Sequence, residues 1–120
     1  MNYGYINQKK NYFPMPNPIF SLGLTAGEIA VYCYLMYCED RNTFECYPSF
    51  SSIGKALKIS INTVRKYASG LENKGLITTK HTKIITKDGQ KRNGNLLYKI
   101  RPMHEVLSDY YGQQMIRFSG

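Results

Sequence analysis

Only three residues, Lys58-Ile59-Ser60, separate two stretches that both read as helix. In the first, Phe50, Ile53 and Leu57 fall at helical spacing from a start near Ser49. In the second, Ile61 to Asn73, Val64, Ala68 and Leu71 share one face. Ser60 stands in the capping position and Gly75 follows where a left-handed C-cap is expected. Two helices joined this tightly cannot lie apart. They must cross at a steep angle over a shared core, and few architectures accommodate such a pair.

The remaining chain supplies the core and a hairpin. Residues 1–18 are polar and broken by Pro14, Pro16 and Pro18, which predicts an extended arm, with Ile19, Phe20, Leu22 and Leu24 the first core contacts. Thr25-Ala26-Gly27-Glu28 has the form of a capping box, and a helix should run from Ala26 to about Cys38. That helix is apolar or aromatic nearly all round, so it is central or covered by a partner. Phe44 to Tyr47 reads as a short strand. Leu76 to Thr86 reads as a longer one, broken near His81, with Leu96 to Ile100 returning. Asp88-Gly89 and Asn93-Gly94 are both tight-turn signals between them. Pro102 suits the first turn of a last helix, whose Met103, Val106, Leu107, Tyr110 and Tyr111 form one docking face and which Gly112 should end.

The order is helix, short strand, helix, turn, helix, hairpin, helix. This predicts an α+β, mainly α fold: a three-helix core with a β-hairpin wing and an additional C-terminal helix. Such an arrangement is a winged helix-turn-helix. Residues 19–101 would form the domain and 102–120 the C-terminal helix and tail.

Charge is concentrated rather than spread. Of a formal net charge of +8, the segment from Lys55 to Arg101 holds twelve Lys/Arg against only Glu72 and Asp88, while the flanking segments are each slightly acidic. A merely solvated surface mixes its signs, whereas one contiguous cationic stretch suits a polyanion, above all a phosphate backbone. Other chemistry finds little support. Cys33, Cys38 and Cys46 lack metal-ligand spacing and His81 and His104 are remote, so no metal or cofactor is expected and the thiols read as small apolar groups. No acidic pair, activated nucleophile or phosphate-binding glycine loop appears, so the chain does not read as an enzyme, and His81 reads as a surface residue. There is no apolar run long enough for a bilayer and no signal-peptide core, so a cytoplasmic location is expected.

If Val64, Ala68 and Leu71 face inward, Asn62, Thr63, Arg65, Lys66 and Ser69 face outward, with Ile61 at the exposed N-terminal end. The N-terminal part of a second helix in such a pair enters the DNA major groove. Asn can bond adenine, Arg can bond guanine, and Thr can touch a thymine methyl, so Ile61, Asn62, Thr63 and Arg65 are the candidate base readers. Lys66 and Ser60, with Ser51, Ser52 and Lys55 of the preceding helix, are candidates for the sugar–phosphate backbone. Lys87, Lys91 and Arg92 make the wing tip cationic, and Arg92 suits a narrow minor groove. For the serines, an ordinary solvated position is the competing reading.

Several segments carry a resemblance: Pro16-Asn17-Pro18-Ile19-Phe20, Leu22-Gly23-Leu24-Thr25, Val31-Tyr32-Cys33-Tyr34-Leu35, Cys46-Tyr47-Pro48-Ser49, Ile53-Gly54-Lys55-Ala56-Leu57, Ile59-Ser60-Ile61-Asn62-Thr63-Val64-Arg65, Leu71-Glu72-Asn73-Lys74-Gly75-Leu76-Ile77 and Asn95-Leu96-Leu97-Tyr98-Lys99-Ile100. Together they resemble the winged helix-turn-helix domains of bacterial plasmid replication initiators and related phage or mobile-element proteins. The resemblance implies sequence-specific binding of double-stranded DNA, often as a dimer, with Asn62, Thr63, Arg65 and Lys66 at the recognition positions. Many transcription regulators share these motifs. Two departures stand out. Gly70 takes an exposed helical position and should loosen the reading helix by up to ~1 kcal/mol, and the chain ends where initiators carry a further domain.

Two other functions compete. The aromatic first and last helices (Tyr32, Tyr34, Tyr37, Tyr110, Tyr111) could serve a protein-interaction or assembly module, or a homodimer seam. The basic hairpin with Tyr98 as a stacking surface could serve RNA or single strands, although Tyr98 reads more readily as half-buried in the sheet.

Overall fold

The structure, a computed structural model, describes residues 11–119, with side chains through 113. After a 3₁₀ turn at Asn17–Ser21 the elements are α1 (Ala26–Cys38), β1 (Glu45–Cys46), α2 (Phe50–Leu57), α3 (Ile61–Asn73), β2 (Ile77–Lys80), β3 (Lys83–Ile85), β4 (Lys91–Asn93), β5 (Leu97–Ile100) and α4 (Met103–Ser119). The fold is the expected α+β winged helix-turn-helix.

Local chemistry explains where the helices begin. Thr25 and Glu28 close the capping box: the Glu28 amide donates to Thr25 Oγ1 at 3.2 Å and the Thr25 amide to Glu28 Oε1 at 2.8 Å. Ser49 and Ser60 cap α2 and α3 by accepting from the amides of Ser52 and Thr63. Gly75, at φ +84°, ends α3. Leu76 N–H reaches Leu71 O and Gly75 N–H reaches Glu72 O, both at 3.0 Å, and the side chains of Leu71 and Leu76 are buried. Gly112 does not end α4 as expected. It lacks the positive φ that would turn the chain out of the helix, and the helix continues through it.

The three-stranded sheet has the order β1–β5–β2, antiparallel throughout. The hairpin breaks at His81-Thr82, beyond which β3 and β4 pair by themselves as a separate two-stranded ribbon. Only one of the two turn signals makes a turn. Thr86 and Gln90 close the tip around Gly89, whereas Asn93 lies in β4 opposite Lys83 and the Gly94 amide donates to Thr82 O at 2.9 Å. With the reversal already made at the tip, Asn93 serves the ladder.

The core is built on Ile19, Val31, Tyr32, Leu35, Ile53, Val64, Leu71, Leu76, Ile77, Tyr98 and Val106, all essentially without solvent contact. Fully burying each large aliphatic side chain contributes roughly 1.5–3 kcal/mol. α1 is central: Val31, Tyr32, Leu35 and Met36 are buried, and of its tyrosines only Tyr37 is exposed. Phe20, expected in the core, is 82% exposed. Residues three apart eclipse in a 3₁₀ turn, so Ile19 and Leu22 face inward together and Phe20 faces out. Of the arm, Phe13 and Met15 pack against the core, and residues 1–10 lie outside the described part. Val106 docks α4, with Met103, Leu107 and Tyr110 partly buried beside it. Tyr111, expected on that docking face, is exposed.

Candidate nucleic-acid interface

Burying Val64, Ala68 and Leu71 leaves Asn62, Arg65, Lys66 and Ser69 exposed along the opposite face of α3. Ile61, 46% exposed, stands at the N-terminal end. Thr63 is half-buried, and its hydroxyl lies 2.8 Å from that of Ser60, so the methyl is the part it can offer a base. Ser60 is engaged in the same cap. The helix start therefore presents free backbone amides rather than a free serine hydroxyl.

Arg65 is held before any ligand arrives. Its Nη1 donates to Asn62 Oδ1 at 3.2 Å, and its guanidinium carbon lies 5.3 Å from the centre of the Phe50 ring on α2. Arg65 and Phe50 line, with His81 and Leu96, an open cleft of about 350 Å³ between the start of α2, α3 and the base of the wing. The cleft extends toward Ser69, Glu72 and Thr79. Lys66 leans the other way, its ammonium 5.9 Å from the ring centre of Tyr67. The two neighbouring cations thus lie on different sides, Arg65 at the cleft beside the wing and Lys66 on the flank of the helix.

On α2, Ser51, Ser52 and Lys55 are exposed, and Ser52 Oγ accepts from Ser49 Oγ at 3.0 Å. Lys58, at φ +59°, makes the turn into α3, fixed by the Ile59 amide donating to Gly54 O at 3.0 Å. In the distal ribbon Lys87, Lys91 and Arg92 are all exposed. Asp88, its one acid, accepts from the Thr86 hydroxyl, and this hydrogen bond, with another from the Gln90 backbone, holds its carboxyl below the usual range. The acid therefore orders the tip. Arg92 donates to Gln90 Oε1 at 3.4 Å and Lys83 to Asn93 Oδ1 at 2.7 Å.

Sequence reasoning missed two features here. Phe50, read from the sequence only as one of three apolar residues at helical spacing, is partly buried and lies under the guanidinium of Arg65. Ile84 and Ile85 stand 52% and 72% exposed on the wing, although β-branched residues had pointed only to a strand. Tyr98 is completely buried in β5, and burial pushes its phenol up to about 12. Its ring, expected to be half-buried in the sheet, is therefore closed to base stacking. Among the described residues no three His, Cys, Asp or Glu side chains gather as a metal would require, and no helix is long and apolar enough to cross a membrane.

No curated protein sequence matches the chain. Among solved structures, one described as a possible transcriptional regulator from Methanosarcina mazei Go1 shares the fold, with a TM-score of 0.55 at 17% identity over 83% of this chain and 78% of that one. Residues 22–77, from the approach to α1 to the first residue of β2, match a family described as a helix-turn-helix domain, which supports DNA binding.

Proposed function

We propose that this protein binds double-stranded DNA in a sequence-specific way through α3 and the wing, acting in transcription control or replication initiation in the cytoplasm. One observation carries the reading. Arg65 is fixed by Asn62 and Phe50 at the cleft between the exposed face of α3 and the wing, within the stretch that holds all of the chain's excess positive charge. An arginine held in place loses little side-chain freedom when it meets a guanine edge, so its contact adds affinity and selectivity together.

In this reading Ile61, Asn62, Thr63 and Arg65 face the bases. Lys66, Lys55, Ser51, Ser52 and the amides behind Ser60 face one backbone, and Lys87, Lys91 and Arg92 extend along the neighbouring groove. The unit that binds is a homodimer on a repeated or palindromic site. Tyr37 at the end of α1 and Tyr111 on α4 are the exposed tyrosines of the two helices that would supply its seam. Selection of bound duplexes from a random pool tests the proposal. A recurrent repeated motif is the expected result, and recovery of unenriched sequence would overturn it. Light scattering of the free and DNA-bound protein tests the dimer.

A further inference from the structure

Beyond the break at His81-Thr82, β3 and β4 form a two-stranded ribbon neither of whose faces is buried. Residues directly opposite each other in such a ladder share a face. Ile84 stands opposite Arg92 on one face, while Ile85 stands opposite Lys91 on the other, together with the Lys83–Asn93 pair. The two isoleucines are not equivalent. Ile84 leans on the root of the ribbon, its Cγ2 lying 3.4 Å from where a Cβ on Gly94 would stand. Ile85 is the barer of the two, 72% exposed against 52%.

A lone exposed isoleucine on a surface of mixed charge needs no explanation. Here the surroundings are of one sign. Lys83, Lys87, Lys91 and Arg92 are all exposed, and among the described residues none of them forms an ion pair. Asp88, the ribbon's one acid, is engaged by the Thr86 hydroxyl. Lys83 and Arg92 donate to the neutral amide oxygens of Asn93 and Gln90, which leaves their charge uncompensated. An apolar tip ringed by unpaired cations fits a partner with an apolar interior between two rows of anions. Stacked base pairs between phosphate strands are such a partner. The size of the patch argues against broader ones. A specific protein interface buries about 800 Å² on each side, and a stable hold on a bilayer takes far more apolar surface than one side chain. A single isoleucine matches a single base step.

We propose that Ile85 is a wedge: the wing presses it between two base pairs from the minor groove, unstacks that step and kinks the duplex. Lys83 and Lys91 on its face, with Lys87, hold the flanking phosphates. Isoleucine is among the side chains that open base steps in this way and bend the duplex toward the major groove. Steps of T followed by A unstack readily, so the wedge favours such sites without a hydrogen bond to any base. Gly94, at the root of the ribbon, lines the cleft that holds Arg65, so the ribbon springs from the place where α3 would meet the duplex. This role rests on the DNA-binding reading and gives the wing a mechanical part in it.

An alternating A·T duplex of about 30 base pairs, with 2-aminopurine in place of some adenines, tests the wedge, because it offers a T–A step in any register. Aminopurine fluorescence rises when the base unstacks, and the anisotropy of a dye at the duplex end reports binding separately. The full chain should bind this duplex at low salt and raise the aminopurine signal about twofold or more. Ile85→Ala should bind within about threefold of wild type, since the cations remain, yet leave the signal at its free-duplex level. Ile85→Met, another wedge side chain, should restore the signal, and Ile84→Ala should retain it. Both positions are exposed, so neither change disturbs the core. Binding without a rise in the wild type, or a rise that persists in Ile85→Ala, would overturn the wedge and leave the DNA-binding reading intact. Failure to bind any duplex would overturn both. If Ile85→Ala lost more binding to phosphatidylserine vesicles than to the duplex, the ribbon would belong to a membrane surface and the wedge would fall.

Discussion

The space that a Cβ on Gly70 would fill is taken by a carboxylate oxygen of Glu28, so α3 presents bare backbone to the buried acid of α1. A few residues away, Gly27 stands in the same relation to the Tyr67 ring. Gly70 is therefore a packing requirement where α1 and α3 cross, and the expectation of an exposed, loosening glycine is corrected. On a solvent-facing helix Gly→Ala would stabilise by up to ~1 kcal/mol. Here Gly70→Ala should destabilise by about 1–3 kcal/mol, the usual cost of overpacking, as measured by urea unfolding. The double change Glu28→Ala/Gly70→Ala should cost less than the sum of its parts, since removing the carboxylate makes room for the methyl.

Glu28 also carries a pH dependence. Burial alone would raise its carboxyl. Hydrogen bonds from Lys74 at 2.7 Å and from the Thr25 amide, with the Lys74 charge, outweigh burial and hold it below its ordinary value of 4.5. A carboxyl lowered in the folded state stabilises fully above its unfolded value and loses that contribution as pH falls through the folded one. The difference in unfolding free energy between wild type and Glu28→Gln should therefore be constant near neutrality and shrink below about pH 4.5. A difference that held steady into acid would contradict the pairing.

These two residues show where sequence reasoning stops. The caps at Thr25, Ser60 and Gly75 were legible because each is closed by groups a few positions away, and apolar spacing identified the buried face of α3. Lys74 and Glu28 stand 46 positions apart, so no local pattern announces them, and Gly70 could be read only as a weak helix former. Phe50 failed for a related reason. Its helical spacing with Ile53 and Leu57 says nothing of a neighbour, and only the approach of Arg65 from the next helix shows what its partly exposed ring does. Phe20 was misplaced because apolar character alone does not say which way a 3₁₀ turn rotates.

Arg65 and Lys66 should separate on substitution. If Arg65 reads a base, Arg65→Ala weakens the selected site by about 1–3 kcal/mol and relaxes preference at one position. Lys66, leaning toward Tyr67, should weaken all duplexes alike when changed to Ala and lower the salt dependence of log K by about one. Fluorescence anisotropy across a salt series, with matched and mismatched duplexes, distinguishes the two. Unchanged binding in the double variant would show that α3 is not the reading helix.

The last prediction concerns Phe50, which touches Arg65 from another helix. A cation over a ring at a partly exposed site is worth roughly 0.5–1 kcal/mol, too little to decide the stability of the fold. It is enough to restrict a side chain whose freedom would otherwise cost ~2 kcal/mol to lose. Phe50→Leu keeps an apolar side chain against the core and removes only the ring face. It should leave the unfolding midpoint nearly unchanged and weaken the selected duplex about two- to fivefold, in line with that range. A random duplex, bound mainly through phosphates, should be affected less. The effect should vanish in an Arg65→Ala background, because the ring then has no cation to orient. If Phe50→Leu weakened both duplexes equally, or kept its effect without Arg65, the ring would be acting through packing alone.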